Sequence, residues 1–185
     1  MINQRTLTKL MTEGVQIIDP KSVWISPFTE IEHDTIIYPH VYINGKNKIG
    51  KNCKIGPFAQ IRGDVEIADN VKIGNFVEIK KSKIDSNTNV CHLSYIGDSE
   101  LGKHINIGAG TITANYNAQT KVKSKTILQD GVTIGSNSVI VAPVELEENV
   151  AVGAGSVITK NIPKNSLALT RSPLKIVKDW ILKHK

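Results

Sequence analysis

The sequence predicts an all-β protein, a β-helix of hexapeptide repeats built from short parallel strands, with a short helix at each end. Three observations predict it. Isoleucine recurs at a strict spacing of six from Ile25 to Ile79, through Ile31, Ile37, Ile43, Ile49, Ile55, Ile61, Ile67 and Ile73. A small or β-branched residue often fills the fourth place after the ladder residue, as at Val41, Cys53, Ala59, Val65, Val71 and Val77. Glycine or alanine often follows the isoleucine directly, as at Gly50, Gly56, Ala68 and Gly74. Neither the helical nor the strand period makes such a run, and self-similarity at a short fixed period marks a coil that stacks on itself. Each hexad is then one short strand, with its isoleucine pointing inward and a tight turn after it. Three strands make a triangular coil of about 18 residues, and coils stack at roughly 4.8 Å.

Residues 1–24 form a helix and a lead-in. The helix is expected over Asn3 to Glu13, with Leu7, Leu10 and Met11 on one side and Gly14 as its stop. An extended stretch from Val15 to Trp24 follows, punctuated by Pro20. The β-helix is expected over 25–162. Beyond Ile79 its spacing shortens twice by one residue, giving Ile84, Val90, Ile96, Leu101 and Ile107. A polar stretch at about 113–126 leaves the coil as an inserted loop. The ladder resumes at Leu128, Ile134, Ile140, Leu146, Val152 and Ile158, and Pro163 ends it. Residues 163–185 form a C-terminal extension. Within it Pro173 to Lys185 reads as a basic helix, with Leu174, Val177, Trp180 and Ile181 available for docking.

Composition narrows the function classes. At 185 residues the chain is long enough to bury a core without staples, and 5% aromatics suits a core of stacked Ile and Val. Its two cysteines, Cys53 and Cys91, make no disulfide framework, which suits free thiols in a reducing compartment. No apolar run approaches membrane-span length and the N-terminus lacks a signal-peptide core, so a cytoplasmic protein without a membrane partner is expected. A net charge of +6 favours anionic partners, but nothing except basicity suggests nucleic acid.

Counting by hexads assigns the faces. With Ile61 on face one, Ile67 on face two and Ile73 on face three, Ile79 returns to face one. Arg62 and Lys80 are then 18 residues apart in one column, two cations roughly 5 Å from each other. Such a pair is either two solvated side chains that splay apart or a clamp around an anion such as phosphate. His92 follows Val90 on face three, in the column of Ala109, and Tyr95 lies at the corner where face three turns into face one. The inserted loop, with Asn115, Tyr116 and Lys121, departs at that same corner. Convergence on one edge makes His92 the candidate catalytic residue. Cys91 is its neighbour on a strand and points the other way, so it reads as a packed residue and not a nucleophile paired with His92. His33, His40, His104 and His184 do not join His92 in any spacing that gathers three imidazoles on a metal.

The segments IGPFAQIRGDV, IGNFVEIKKSKI, HLSYIGDSELGKHINIGAGTITANYN, IGSNSVIVAPV, VGAGSVI and NSLALTRSP carry a resemblance across essentially the whole chain. They resemble the acetyltransferase (C-terminal) domain of the bifunctional N-acetylglucosamine-1-phosphate uridyltransferase/glucosamine-1-phosphate acetyltransferase, here without the uridyltransferase domain. The resemblance implies a left-handed parallel β-helix and a homotrimer with sites between subunits. It implies acetyl transfer from acetyl-CoA, as cosubstrate, to the 2-amino group of glucosamine-1-phosphate, with no metal required. His92 matches the catalytic base. Arg62, Lys80, Tyr95, Asn106 and Lys121 match contacts to the sugar phosphate. Ala109, Asn115, Tyr116, Ser136, Ala154 and Arg171 match contacts to acetyl-CoA. Ser136 and Ala154 are also 18 residues apart, a shared column counted to face two, where small side chains leave a groove for a pantetheine arm. A base on face three and a groove on face two leave one chain's site incomplete, which is a second reason to expect a trimer.

The chain departs from the family in its loop, NYNAQTKVKSKT, where the family usually has NYDG and a shorter stretch, and in RGD after Ile61, where it has RPG. Two other readings stay open: a hexapeptide acyltransferase acting on another amino sugar or a hydroxyl, and a non-catalytic β-helix scaffold.

Overall fold

A computed structural model describes residues 2–181. Twenty-four short strands wind into a parallel solenoid whose walls are three sheets, of eight strands on face one, seven on face two and nine on face three. Every ladder isoleucine from Ile25 to Ile79 points inward and is buried, as are Val41, Cys53, Ala59, Val65, Val71 and Val77. Burying this many branched apolar side chains in one continuous stack is the dominant favourable contribution to the fold. Each ladder residue pairs with the one a coil away, Ile61 with Ile79 and Ile55 with Ile73, at the expected spacing of 18. In the middle the coil tightens to 17, pairing Ile73 with Val90 and Ile84 with Leu101.

The three outer walls differ in chemistry. Face two carries an alternating ladder, Glu30, Lys48, Glu66, Lys83 and Glu100 in register. Lys83 pairs with Glu66 at 3.1 Å and Lys125 with Glu100 at 2.5 Å. Face one instead presents Trp24 stacked on Tyr42 at 4.8 Å, and further along the same column Tyr95, Ile112, Val139 and Val157.

The helix spans Ile2–Thr12 and closes the first coil with Leu7 and Leu10, while Met11 stays exposed. Asn3 ties it down: its amide donates to the Val23 carbonyl and its Oδ1 accepts from the Ile25 N–H. Gly14 stops the helix at φ 93°. The sheets also run outward of 25–162. Gln16–Ile17 pairs with Ile36–Ile37, and Leu167–Ala168 pairs with Ala151–Val152, both on face three. Ile17 and Ala168 are out of phase with the six-residue ladder, so periodicity does not mark them.

The second helix, expected over 173–185, is not formed among the described residues. Residues 172–177 have no regular structure and 178–181 make a turn; 182–185 lie outside the described part. Leu174, Val177, Trp180 and Ile181 are largely exposed, and a helix this short is marginal in water.

Candidate active site

His92 sits at the corner where face three turns into face one. Two longer strands, Lys72–Asn75 and Asn89–His92, pair as far as Asn75 opposite His92. The His92 Nδ1 lies 2.9 Å from Asn75 Oδ1. The residues that turn this corner, Phe58, Phe76 and Leu93, have φ of 53°, 54° and 49°. Left-handed residues turn other coils as well, Asn52, Asn70 and Asn87 among them, but at this corner the side chains are bulky, which that backbone disfavours. His40, Phe58 and Phe76 stack along the corner, with centroids 4.6 and 5.2 Å apart. The aromatic stack separates two cavities, of about 450 Å³ on face three beside Asn75, Cys91 and His92, and about 390 Å³ on face one beside Glu78, Leu93 and Tyr95.

From His92 the column runs on through Ala109, Ser136 and Ala154. The pairs Val90–Ile107, Ile107–Ile134 and Ile134–Val152 fix that register, and all three are on face three. Ser136 and Ala154 therefore share a column, as their spacing requires, but not on face two. The inserted loop lengthens one coil to 27 residues, Ile107 to Ile134, so faces cannot be counted across it. Base and groove lie on one line, and a separation between them no longer argues for a trimer. The groove floor is glycine: a Cβ on Gly108 would sit 2.5 Å from the Ser136 nitrogen, and one on Gly135 would collide with Ala154. Arg171 reaches this groove, donating from Nε to the Ala154 carbonyl at 3.3 Å.

Face one carries the cations. Arg62 and Lys80 are in direct register, as counted. Arg62 is held sideways by Glu78, with Nε and a terminal nitrogen 2.7 and 2.6 Å from Oε1. Burial, then the Lys123 ammonium, then Arg62 hold Lys80 below the usual lysine value of 10.5, with Asp98 opposing. The loop after Asn115 leaves the coil where face one turns into face two, not at the His92 corner as counted, because Ile112–Ala114 is already a face-one strand. It folds as a hairpin bridged between Tyr116 and Lys123, and Lys121 sits in its turn at φ 59°. It is Lys123 that meets Lys80. Lys121, Lys123 and Lys125 repeat along the loop, and such a repeat gives no sequence signal for which one returns to the coil.

Tyr95 starts in the Glu78 column and leans across its strand. Gly97 makes room, since a Cβ there would collide with the Tyr95 hydroxyl. Asn115 is buried and donates to Asp98 and, at 3.5 Å, to that hydroxyl. Tyr116 is exposed on the hairpin. Asn106 is not brought to this cluster. It points outward from face three, beside Asn89, while Arg62, Lys80 and Tyr95 occupy face one. Cys91 is half-buried, and burial raises its thiol above the usual 9.0 despite Lys72, so it is a poor nucleophile. Sequence reasoning missed Asn75, Glu78, Asp98 and Lys123, because their parts are set by neighbours in other coils. Among the described residues no group of three His, Cys, Asp or Glu side chains is placed to hold a metal ion.

Known proteins agree with this architecture. The family described as bacterial transferase hexapeptide (six repeats) matches residues 48–81 and 125–160. The chain is 43% identical, over all of its length, to the bifunctional protein GlmU of Thermodesulfovibrio yellowstonii, and 41% identical to that of Thermotoga maritima. It covers 48% of each, so it spans about half the length of these relatives. Among solved structures, the Francisella novicida UDP-N-acetylglucosamine acyltransferase matches with a TM-score of 0.61 at 16% identity, over 82% of this chain and 66% of that one. LpxA from Acinetobacter baumannii matches at 0.50 and 20%, over 85% and 67%. These two likenesses concern the fold alone. In repeat, coil and whole-length identity, the chain is a hexapeptide-repeat homologue of the C-terminal half of the GlmU proteins.

Proposed function

We propose that the chain transfers an acetyl group from acetyl-CoA to the 2-amino group of glucosamine-1-phosphate. The observation that carries this reading is the in-register pair Arg62 and Lys80, joined by Lys123, at the edge where face one turns into face two, together with His92 at the head of a small-residue groove on the opposite edge. Three cations on one wall suit a dianionic phosphate, and a narrow groove ending at a histidine suits a thioester on an extended arm.

The chemistry follows from the substrates. The sugar's ammonium must lose a proton before it attacks a thioester, and a neutral imidazole placed beside it can take that proton. Holding the phosphate on face one fixes the amine opposite the acetyl carbon, which supplies the positioning part of the rate. The nitrogen bonds to that carbon and the C–S bond breaks; of the two protons the nitrogen sheds between ammonium and amide, one passes through His92 to the departing CoA thiolate and the other goes to solvent. We assign the oxyanion contact to a backbone N–H of the column at Ala109. Ser136, Ala154 and Arg171 line the cosubstrate's path on face three, and Asn115 and Tyr116, which stand with the face-one cluster, reach that path from a neighbouring copy. Acetyl-CoA is the cosubstrate, and the chemistry requires no metal.

The working unit in this reading is a homotrimer. Asn106 faces outward from face three and the phosphate residues from face one, so one sugar cannot touch both walls of a single convex coil. A second copy that sets its face three against face one completes the site, and three such contacts close a ring. Exposed Tyr42, Ile112 and Val157 on face one supply apolar area, and the charge ladder of face two is left to solvent. No described helix is long and apolar enough to cross a membrane, and we place the enzyme in the cytoplasm.

The test is release of CoA thiol from acetyl-CoA across a panel of amino-sugar phosphates. Release with glucosamine-1-phosphate, and little with non-phosphorylated glucosamine, is the expected result. Activity confined to another acceptor moves the substrate, and no transfer to any acceptor leaves only a scaffold.

A further inference from the structure

We propose that Asn75 is a positioning residue for the base: its side-chain carbonyl fixes His92 as the tautomer protonated on Nδ1 and leaves Nε2 free to accept a proton. What the base then does rests on the acetyl-transfer reading, but the tautomer does not.

The contact is built by the coil. Most strands of the solenoid are two or three residues long, yet Lys72–Asn75 and Asn89–His92 each run to four. The coil between them has tightened to 17 residues, and its ladder extends by one more pair, Asn75 with His92. Register neighbours on adjacent parallel strands project on the same side, so these two side chains stand next to each other. Their backbones are held as well. The Leu93 N–H donates to the Asn75 carbonyl at 3.0 Å, and the Gly110 N–H donates to the His92 carbonyl at 3.2 Å. The Ser94 hydroxyl donates to that same His92 carbonyl at 2.8 Å. Directly after the pair, Phe76 and Leu93 turn both coils with left-handed backbone. The 2.9 Å approach of Nδ1 to Oδ1 is therefore made between an exposed His92 and a half-buried Asn75 whose backbones are held in fixed strands.

The chemical consequence turns on which end of the amide faces the ring. A neutral imidazole has one N–H, and the nitrogen without it is the acceptor. An amide oxygen only accepts, so facing Oδ1 requires the proton on Nδ1 and puts the lone pair on Nε2. An amide NH₂ in the same place would donate to Nδ1, move the proton to Nε2 and abolish the base. After Nε2 takes the ammonium's proton, both ring nitrogens donate and Asn75 keeps its bond. Asn75 is neutral, so it does not hold the imidazolium as a carboxylate does, and the proton can pass on to the departing CoA thiolate. Orientation and release both come from one uncharged side chain.

The experiment is a ring ¹⁵N spectrum of His92 in the full chain, assigned by its loss in His92→Gln and recorded where the imidazole is neutral. The expected wild-type pattern has Nδ1 protonated and Nε2 unprotonated. Asn75→Ala should shift the population toward the Nε2-protonated form and lower kcat by about ten- to a hundredfold, with KM for both substrates little changed. Asn75→Asp keeps an acceptor in place, so it should retain the wild-type tautomer while moving the acid limb of the rate profile to higher pH. An Nε2-protonated ring in the wild type overturns the proposal, and so does a ring population that ignores Asn75→Ala. If Asn75→Ala does not fold, the wild-type spectrum and Asn75→Asp still decide. The predicted tautomer in a chain that fails to acetylate glucosamine-1-phosphate would sink the acetyl-transfer reading and keep the role of Asn75.

Discussion

Arg62 and Lys80 lie side by side in one column of face one, and Arg62 turns away from Lys80 to bond Glu78. Like charges at coil spacing repel, and the structure resolves this by giving one of them a carboxylate. Lys80 keeps no such pairing. It is crowded by Lys123 and only partly offset by Asp98, an excess of positive charge that an anion would relieve.

The first prediction follows from that crowding. Arg62→Ala, Lys80→Ala and Lys123→Ala should each raise KM for the sugar phosphate by about ten- to a hundredfold, as loss of a charge-assisted phosphate contact does. KM for acetyl-CoA should change little. Lys121→Ala should behave like wild type, because Lys121 occupies the hairpin turn. Steady-state kinetics on the four variants checks this, and normal sugar-phosphate binding in all of them would reduce the column to a solvated face.

The second concerns pH. Lys80 holds its proton less tightly than an ordinary lysine, so its charge is lost at a pH below the usual 10.5. Phosphate binds the charged form, so affinity should fall as pH rises into that range, and binding there should take up a proton. Glucose-1-phosphate is the proper probe, since it keeps the phosphate and lacks the titrating amine. Calorimetry in buffers of different ionisation enthalpy should show the uptake. Lys80→Arg stays charged and should flatten the alkaline fall. An identical profile in wild type and Lys80→Arg would remove Lys80's proton from binding.

How much of this was legible in the chain depends on what each residue is tied to. The ladder from Ile25 to Ile79 is legible because every inward position of a triangular coil makes the same demand, and the Arg62–Lys80 column follows by counting. Counting fails at the loop, where Ile107 pairs with Ile134 and moves Ser136 from face two to face three. It fails at the ends, where Ile17 and Ala168 join the sheet outside the period. Lys123, Asp98 and Asn75 are illegible for a different reason: each acts through a neighbour in another coil, and nothing in its local spelling marks that neighbour. The C-terminal segment was misread because amphipathic spacing permits a helix but does not supply the surface it must pack on.

The third prediction tests the tightened coil. A Cβ on Gly74 would run into the Cys91 carbonyl, directly beneath the strand that carries His92. Backbone on both sides leaves no flexible atom to yield, so Gly74→Ala should cost about 2–3 kcal/mol. Gly155→Ala is the control. It meets nothing within 4 Å but keeps φ at 72°, so its cost should be about 1 kcal/mol of left-handed strain. Denaturant melts at fixed protein concentration compare the two, and equal losses would mean the close packing at Gly74 is not what holds the corner.

The fourth prediction is the one on which acetyl transfer depends. His92 heads the column that continues through Ala109 and Ser136, and its imidazole lines the cavity on face three. His92→Ala should lower kcat by about 10²–10⁴, with both KM values and the trimer largely kept, as removal of a positioned base does. The wild-type rate should fall on acidification, because a protonated ring cannot take the ammonium's proton. The mutant's residual rate should lack that limb. It should instead rise toward alkaline pH, following the fraction of amine already deprotonated in solution. Adding imidazole to the mutant should restore part of the rate if the vacated corner admits it. A fully active His92→Ala enzyme would mean the amine enters already neutral, and the column would then only orient the two substrates.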